Sequence, residues 1–206
     1  MTQVIETDQV AHPEIGSAKE VMALRAENIT LRNEIKELRA RFSELEVIAD
    51  TDTLTPLPNR RCFLRELDRV LRHVARYHSG AAVLYVDVDG LKLINDQFGH
   101  NSGDATLIHV AQVLRSTLRS TDIVARIGGD EFGLLLDPIK EEALLQKIAQ
   151  LSELIRSSPM TNGSDKFPIE ISVGYTMIQV GDDISSVLRR ADDSMYGEKQ
   201  AHRSAR

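Results

Sequence analysis

Arg126-Ile127-Gly128-Gly129-Asp130-Glu131-Phe132-Gly133-Leu134-Leu135-Leu136 sets two glycines and two adjacent carboxylates between short apolar runs. The runs Ile123 to Ala125 and Phe132 to Leu136 read as strands, and the Gly-Gly pair reads as the turn of a hairpin. Such a turn holds Asp130 and Glu131 at its exposed tip. A bare carboxylate pair there suits a divalent ion such as Mg2+, which takes oxygen ligands and is usually held by one or two carboxylates together with substrate phosphates. A solvated turn, using glycine for positive φ and acids for solubility, would show the same residues. The rest of the chain has to separate the two readings.

A second carboxylate site lies upstream, at the end of Ala81-Ala82-Val83-Leu84-Tyr85-Val86-Asp87-Val88-Asp89-Gly90. The apolar run has the length of a buried strand, and Asp87 and Asp89, spaced by two, fall on one face. At the end of a strand, beside a turn, they are placed to share a cation with the hairpin acids without the cost of a charge deep in the sheet. Leu91 to Gln97 then reads as a short helix, Gly99 as its stop, and Asp104 as the start of the next helix. On these residues alone Asp104 also reads as a helix N-cap, and Asn95 as an ordinary polar residue near a helix end.

Asp87-Val88-Asp89-Gly90-Leu91-Lys92, Asn95-Asp96, Gly99-His100 and Gly103-Asp104, followed by Gly128-Gly129-Asp130-Glu131-Phe132, resemble the GGDEF family of bacterial diguanylate cyclases. The likeness opens at Asp52-Thr53-Leu54-Thr55-Pro56-Leu57-Pro58-Asn59-Arg60-Arg61 and closes at Ala191-Asp192, Met195-Tyr196 and Lys199. It implies condensation of two GTP into cyclic di-GMP, each 3'-hydroxyl attacking the α-phosphate of the other nucleotide while pyrophosphate leaves. Phosphoryl transfer of this kind needs positioning and charge neutralisation more than covalent chemistry.

The resemblance also implies the site. Asp87, the Val88 carbonyl and Asp130 match its metal-binding positions, for Mg2+ or alternatively Mn2+. Glu131 matches a catalytic acid, either a second metal ligand or a base. Asn95 and Asp104 match the guanine-binding positions, where a buried carboxylate accepting from N1 and N2 would reject adenine. Gly90 and Leu91 match a turn whose amides approach the phosphates, with Lys92 adding charge and Gly128 and Gly129 beside the substrate. Lys199 and Arg203, four apart and so on one helix face, match phosphate-binding cations. Read alone they are a solvated basic helix end.

Arg119 and Asp122, in Arg119-Ser120-Thr121-Asp122, have the Arg-x-x-Asp pattern, and the resemblance implies that they form an inhibitory product site, with Arg126 as an added phosphate contact. An exposed local ion pair would also account for the pattern. The chain departs from the family in two places. Pro56 stands where the opening motif usually has glycine, which implies a tighter turn. The sequence also ends soon after Arg203, where the family usually continues into a final strand, which implies a looser phosphate-binding end.

Ahead of these motifs, Val21, Asn28, Ile35, Phe42 and Ala49 take heptad position a, and Leu24, Leu31, Leu38 and Leu45 take d. In a parallel pair the g and e positions match Glu27 with Arg32, Glu34 with Arg39, and Arg41 with Glu46, all opposite in sign. Asn28 at a fixes register in a two-stranded coil. A parallel homodimer follows from these residues independently of the family. It would bring two GTP-loaded half-sites together at high effective concentration.

The expected organisation is a disordered tail over 1–16, a coiled-coil dimerisation helix over 17–50 and a catalytic domain over 51–206. Helices are expected at 17–50, 59–77, 91–97, 104–118, 140–157 and 183–200. Strands are expected at 81–88, 122–127, 132–137 and 167–177, and Thr161 to Lys166 as an exposed loop. This is an α+β fold, a nucleotide-cyclase or polymerase palm-like sheet containing antiparallel strands and flanked by helices. Roughly two thirds of the unfolded surface of such a domain can be buried, so a core without staples is available.

The net charge of −6 argues against a nucleic-acid surface. No run is apolar enough for a membrane span or a signal peptide, so a cytoplasmic protein is expected. The single cysteine, Cys62, reads as a packing residue. With only Met1 to Gly16 ahead of the coil, input is expected from a regulatory protein on the coil or tail, from product, or from nothing. A catalytically inactive cyclic di-GMP or GTP receptor, or a coiled-coil scaffold, is the alternative function.

Overall fold

The computed structural model describes residues 18–162 and 165–204. The predicted tail over 1–16 and the first residue of the predicted coil lie outside them. The chain divides between Ile48 and Ala49 into two compact units. The described part of the first belongs to the helix α1 (Ala18–Asp50), whose last two residues fall in the second unit and which has no buried residue. Leu24, Leu31, Ile35, Leu38, Phe42 and Leu45 of the predicted seam are all exposed in the single chain. An apolar stripe of that length along a polar helix is the pattern of a surface made to be covered.

The second unit is built on a four-stranded antiparallel sheet in the order β2-β3-β1-β6, with β1 spanning Ala82–Val88, β2 Ile123–Arg126, β3 Glu131–Leu136 and β6 Ile171–Met177. Its helices are α2 (Arg60–Tyr77), α3 (Leu91–Phe98), α4 (His100–Thr117), α5 (Glu141–Arg156) and α6 (Ile184–Ser204). Every residue of β1 is buried, because helices cover both faces and the strand needs no polar side. Leu84, Val86 and Val88 enter one apolar cluster with Leu107, Val110 and Leu114 of α4 and Leu144, Leu151 and Ile155 of α5. Val83 and Tyr85 enter the other, with Phe63, Leu67 and Val74 of α2 and Val187, Ala191 and Met195 of α6.

The segment predicted as a joint between coil and domain is folded into this unit. Asn59 caps α2 by accepting from the Cys62 N–H at 3.1 Å, and its amide donates back to the Ala49 carbonyl at 2.7 Å. Asp50 pairs with Arg61 and Arg65, each at 2.6 Å. Asp52 closes the turn containing Pro56 by accepting from the Thr55 N–H and hydroxyl at 2.7 and 2.8 Å. Both margins of the sheet are engaged by the chain itself. On β2 the Arg126 N–H donates to the Pro58 carbonyl at 2.9 Å. On β6 the Val173 N–H donates to the Glu198 carboxylate at 2.5 Å and the Tyr175 N–H to Ser194 Oγ at 3.2 Å.

Three expectations need correction. The fourth helix begins at His100 rather than 104, because Gly99, at φ 83°, ends α3 and caps α4 in a single residue. Asp104 therefore lies a turn inside α4 and is not its N-cap. The loop expected over Thr161 to Lys166 contains a second, two-stranded sheet of β4 (Met160–Asn162) and β5 (Asp165–Phe167). The strand expected over 167–177 starts only at Ile171, since Pro168 has no N–H to give a ladder. Among the described residues no helix is long and apolar enough to cross a membrane.

Candidate active site

The hairpin and β1 end together because their pairing register demands it. Asp87 stands opposite Glu131, and the Val88 N–H donates to the Asp130 carbonyl at 3.0 Å. By strand alternation Asp87, Asp89 and Glu131 share the sheet face that carries Tyr85 and α6. The turn is closed by the Ile127 and Gly128 N–H groups, which both donate to the Glu131 carbonyl, at 2.9 and 3.2 Å. Neither turn glycine adopts a positive φ. At Gly128 the Glu131 carboxylate comes close enough that an added Cβ would have to displace it, whereas Gly129 faces open space.

Asp87 is 5% exposed, and Lys199 Nζ lies 2.7 Å from its Oδ2. Burial pushes the Asp87 pKa up; the Lys199 hydrogen bond opposes this, and the charges of Asp130 and Asp89 reinforce it, leaving the group raised. Asp89 accepts from the Ser172 hydroxyl at 2.9 Å. Among the described residues no group of three or more His, Cys, Asp or Glu is gathered as a metal cage. In donor chemistry alone, Asp87, Asp130, Glu131 and the Val88 carbonyl offer only oxygens, the type a hard divalent ion takes, and the Lys199 ammonium lies against Asp87. On the same face, burial drives the Tyr85 phenol up to about 12, so it stays protonated at neutral pH.

Lys199 reaches Asp87 because α6 lies close on β6. A Cβ at Gly174 would overlap the Ala191 carbonyl and the Met195 backbone, so glycine sets that approach. Glu198 and Ser194, through their bonds to β6, fix the last turns of the helix. Sequence reasoning missed both, since each reads as an ordinary exposed polar residue on a helix. Arg203 falls within α6, and its side chain lies outside the described residues.

The other sheet face carries the predicted guanine positions. Gly90, at φ 73°, starts α3, with Leu91 packed against the core and Lys92 exposed. Asn95, a turn further on, leans on α4 at Gly103, where a Cβ would overlap its side-chain amide. That fit brings Asn95 beside Asp104. Asp104 is exposed rather than buried, so discrimination against adenine would rest on a carboxylate that the nucleotide itself must cover.

The Arg119 to Asp122 segment is a closed turn. The Arg119 N–H donates to Asp122 Oδ2 at 3.0 Å and the Asp122 N–H to the Arg119 carbonyl at 3.1 Å, with Asp122 6% exposed. The Arg119 side chain is left at the surface. Arg126 points elsewhere: it bonds Asp52 Oδ1 at 3.2 Å and the Gly129 carbonyl at 2.8 Å. Burial opposes ionisation of Asp52, but the Thr55 bonds and Arg126 outweigh it and hold its pKa below the usual carboxylate value. Arg126 thus links the opening motif to the hairpin turn, a role its position in the sequence does not disclose.

Residues 49–205 match the family described as "Diguanylate cyclase, GGDEF domain". Diguanylate cyclase TpbB of Pseudomonas aeruginosa (strain UCBPP-PA14) is 35% identical over 201 residues, covering 94% of this chain and 46% of TpbB. Diguanylate cyclase DgcP of P. aeruginosa PAO1 is 33% identical, covering 96% of this chain and 29% of DgcP. The chain therefore spans about half or less of the length of these relatives. Among solved structures, the coiled coil and GGDEF domain of DgcB from Caulobacter crescentus in complex with c-di-GMP superposes with a TM-score of 0.78 at 26% identity, covering 87% of this chain and 95% of that one. Diguanylate cyclase SiaD of P. aeruginosa in complex with its activator SiaC superposes at 0.71 and 28% identity, covering 91% and 78%. The palm-like antiparallel sheet flanked by helices is common to them, and the carboxylate hairpin described above lies within the matched region. On that match the chain belongs to the GGDEF domain family of diguanylate cyclases.

Proposed function

We propose that this chain condenses two GTP into cyclic di-GMP and two pyrophosphates. The observation that carries the reading is the register of Asp87 against Glu131, with Asp130 tied to Val88 and Lys199 closing over Asp87. Asp87, Asp130, the Val88 carbonyl and Glu131 would hold Mg2+ or Mn2+. When bound, the ion supplies neutralisation of the triphosphate and favours ionisation of the attacking hydroxyl. Lys199 and Arg203 hold phosphate oxygens, and the backbone of Gly90, Leu91, Gly128 and Gly129, with Lys92, lines the phosphate side. The Asp104 carboxylate accepts hydrogen bonds from the guanine N1 and N2 donors, with Asn95 as its partner in orienting the base. Each 3'-oxygen forms one bond to the α-phosphorus of the other nucleotide as pyrophosphate leaves, so two half-sites must face each other.

The exposed α1 seam supports a parallel homodimer as the source of the second half-site. A cytoplasmic location fits the substrate. Incubating the full chain with GTP and MgCl2 and resolving cyclic di-GMP by chromatography tests the reading. GTP or cyclic di-GMP binding without turnover would make the chain a receptor instead.

Base selection has its own test. Asp104→Ser is expected to raise the KM for GTP on the order of tenfold and to narrow the preference for GTP over ATP, because the acceptor for two guanine donors is gone. An unchanged preference would return Asp104 to a structural position. Arg119, exposed beside a rigid turn, is proposed with Asp122 as the inhibitory product site, Arg126 adding a contact only if it leaves Asp52. Arg119→Ala is expected to keep the initial rate while removing the plateau that develops as cyclic di-GMP accumulates. Wild-type progress curves without product inhibition would reduce the motif to a turn.

A further inference from the structure

Asp104 is carried by the well-buried α4, whereas Asn95, the other proposed guanine position, sits on an element that cannot hold its own place. α3 has eight residues and none is buried, too short for a helix stable by its own hydrogen bonds. It ends on Gly99 in the left-handed region, the only residue between it and α4. Leu91 packs its first turn against the core. At the other end Phe98 stacks on Phe167 of β5, with ring centroids 4.9 Å apart and planes inclined by 11°. Asn95 lies between these two anchors, one turn before Phe98, with its amide against Gly103.

The Phe167 ring is itself held. Phe167 pairs with Met160 across the β4–β5 ladder, and Met160 packs against the main apolar cluster. Just ahead of β4, the Ser158 carbonyl lies 3.0 Å from His109 Nε2 on α4. Two residues beyond Phe167, Ile169 is 1% exposed. The small sheet is thus fixed to α4 and to the core, and its ring meets α3 where α3 turns into α4. Asn95 and Asp104 flank that corner.

We propose that Phe167 is a positioning residue for nucleotide recognition: stacked on Phe98, it holds the α3–α4 corner so that Asn95 and Asp104 face one guanine. The proposal rests on the assignment of those two residues to the base. It predicts that a change in the small sheet, away from the carboxylate hairpin, weakens GTP binding and leaves the chemical step in place.

The test is steady-state kinetics on full-length Phe167→Ala, Phe167→Tyr and Asp104→Ser, with GTP affinity measured by calorimetry on the same proteins. Phe167→Ala should raise the KM and the Kd for GTP on the order of tenfold, with kcat at saturating GTP within about twofold of the parent. Phe167→Tyr, which keeps the ring, should restore both constants. Phe98→Leu, which removes the partner ring while keeping bulk, should reproduce the Ala result and serves in its place if Phe167→Ala does not fold. An unmoved KM and Kd, or a fall in kcat alone that follows the loss of folded protein, would reduce the ring pair to packing. If Asp104→Ser leaves GTP binding unmoved, the guanine assignment fails and the proposal with it. If Asp104→Ser weakens binding and Phe167→Ala does not, the positioning role alone is overturned.

Discussion

Asp130→Asn and Glu131→Gln are each expected to lower cyclic di-GMP synthesis on the order of a thousandfold, which corresponds to about 4 kcal/mol of transition-state stabilisation. Each change removes a charge and almost no volume. The bonds that shape the turn are backbone bonds, from Ile127 and Gly128 to the Glu131 carbonyl and from Val88 to the Asp130 carbonyl. Circular dichroism and the melting temperature should therefore stay close to those of the parent while turnover disappears. Turnover within tenfold of the parent in either variant would remove that carboxylate from the proposed metal and catalytic set.

Removing residues 1–48 is expected to leave a folded unit whose specific activity rises with its own concentration. At nanomolar protein it should fall on the order of a hundredfold below the full chain, since the meeting of two domains becomes bimolecular. The cut belongs between Ile48 and Ala49, because the Ala49 carbonyl accepts from Asn59 and Asp50 pairs with Arg61 and Arg65 inside the globular unit. Activity measured across a dilution series, alongside sedimentation, decides the matter. A specific activity independent of concentration would mean that the globular units pair unaided, and α1 would then be reassigned as a docking helix for a regulatory partner.

What the sequence disclosed was local. The hairpin strands expected at 122–127 and 132–137 occur at Ile123–Arg126 and Glu131–Leu136, because turn chemistry and alternation act over a few residues. The start of α4 was misplaced because a capping acid is the usual signal, and here a positive-φ glycine serves both helices. The small sheet was hidden by its short strands, although Asn162-Gly163 is itself a hairpin signal. Long-range partners were the least legible. Helix spacing set Lys199 on a face with Arg203, yet its bond to Asp87 follows from how α6 lies on β6. The partnership of Arg126 with Asp52 likewise depends on the fold bringing distant segments together.

The ties of Glu198 and Ser194 to β6, and of Pro58 to β2, bear on how the protein can be handled. Unpaired strand margins invite further strands from neighbouring molecules, and that route leads to aggregates. Here the outward N–H groups of Val173, Tyr175 and Arg126 are already spent within the molecule. A protein whose proposed chemistry requires bringing two copies together thus offers foreign strands fewer free donors along the margins of its four-stranded sheet.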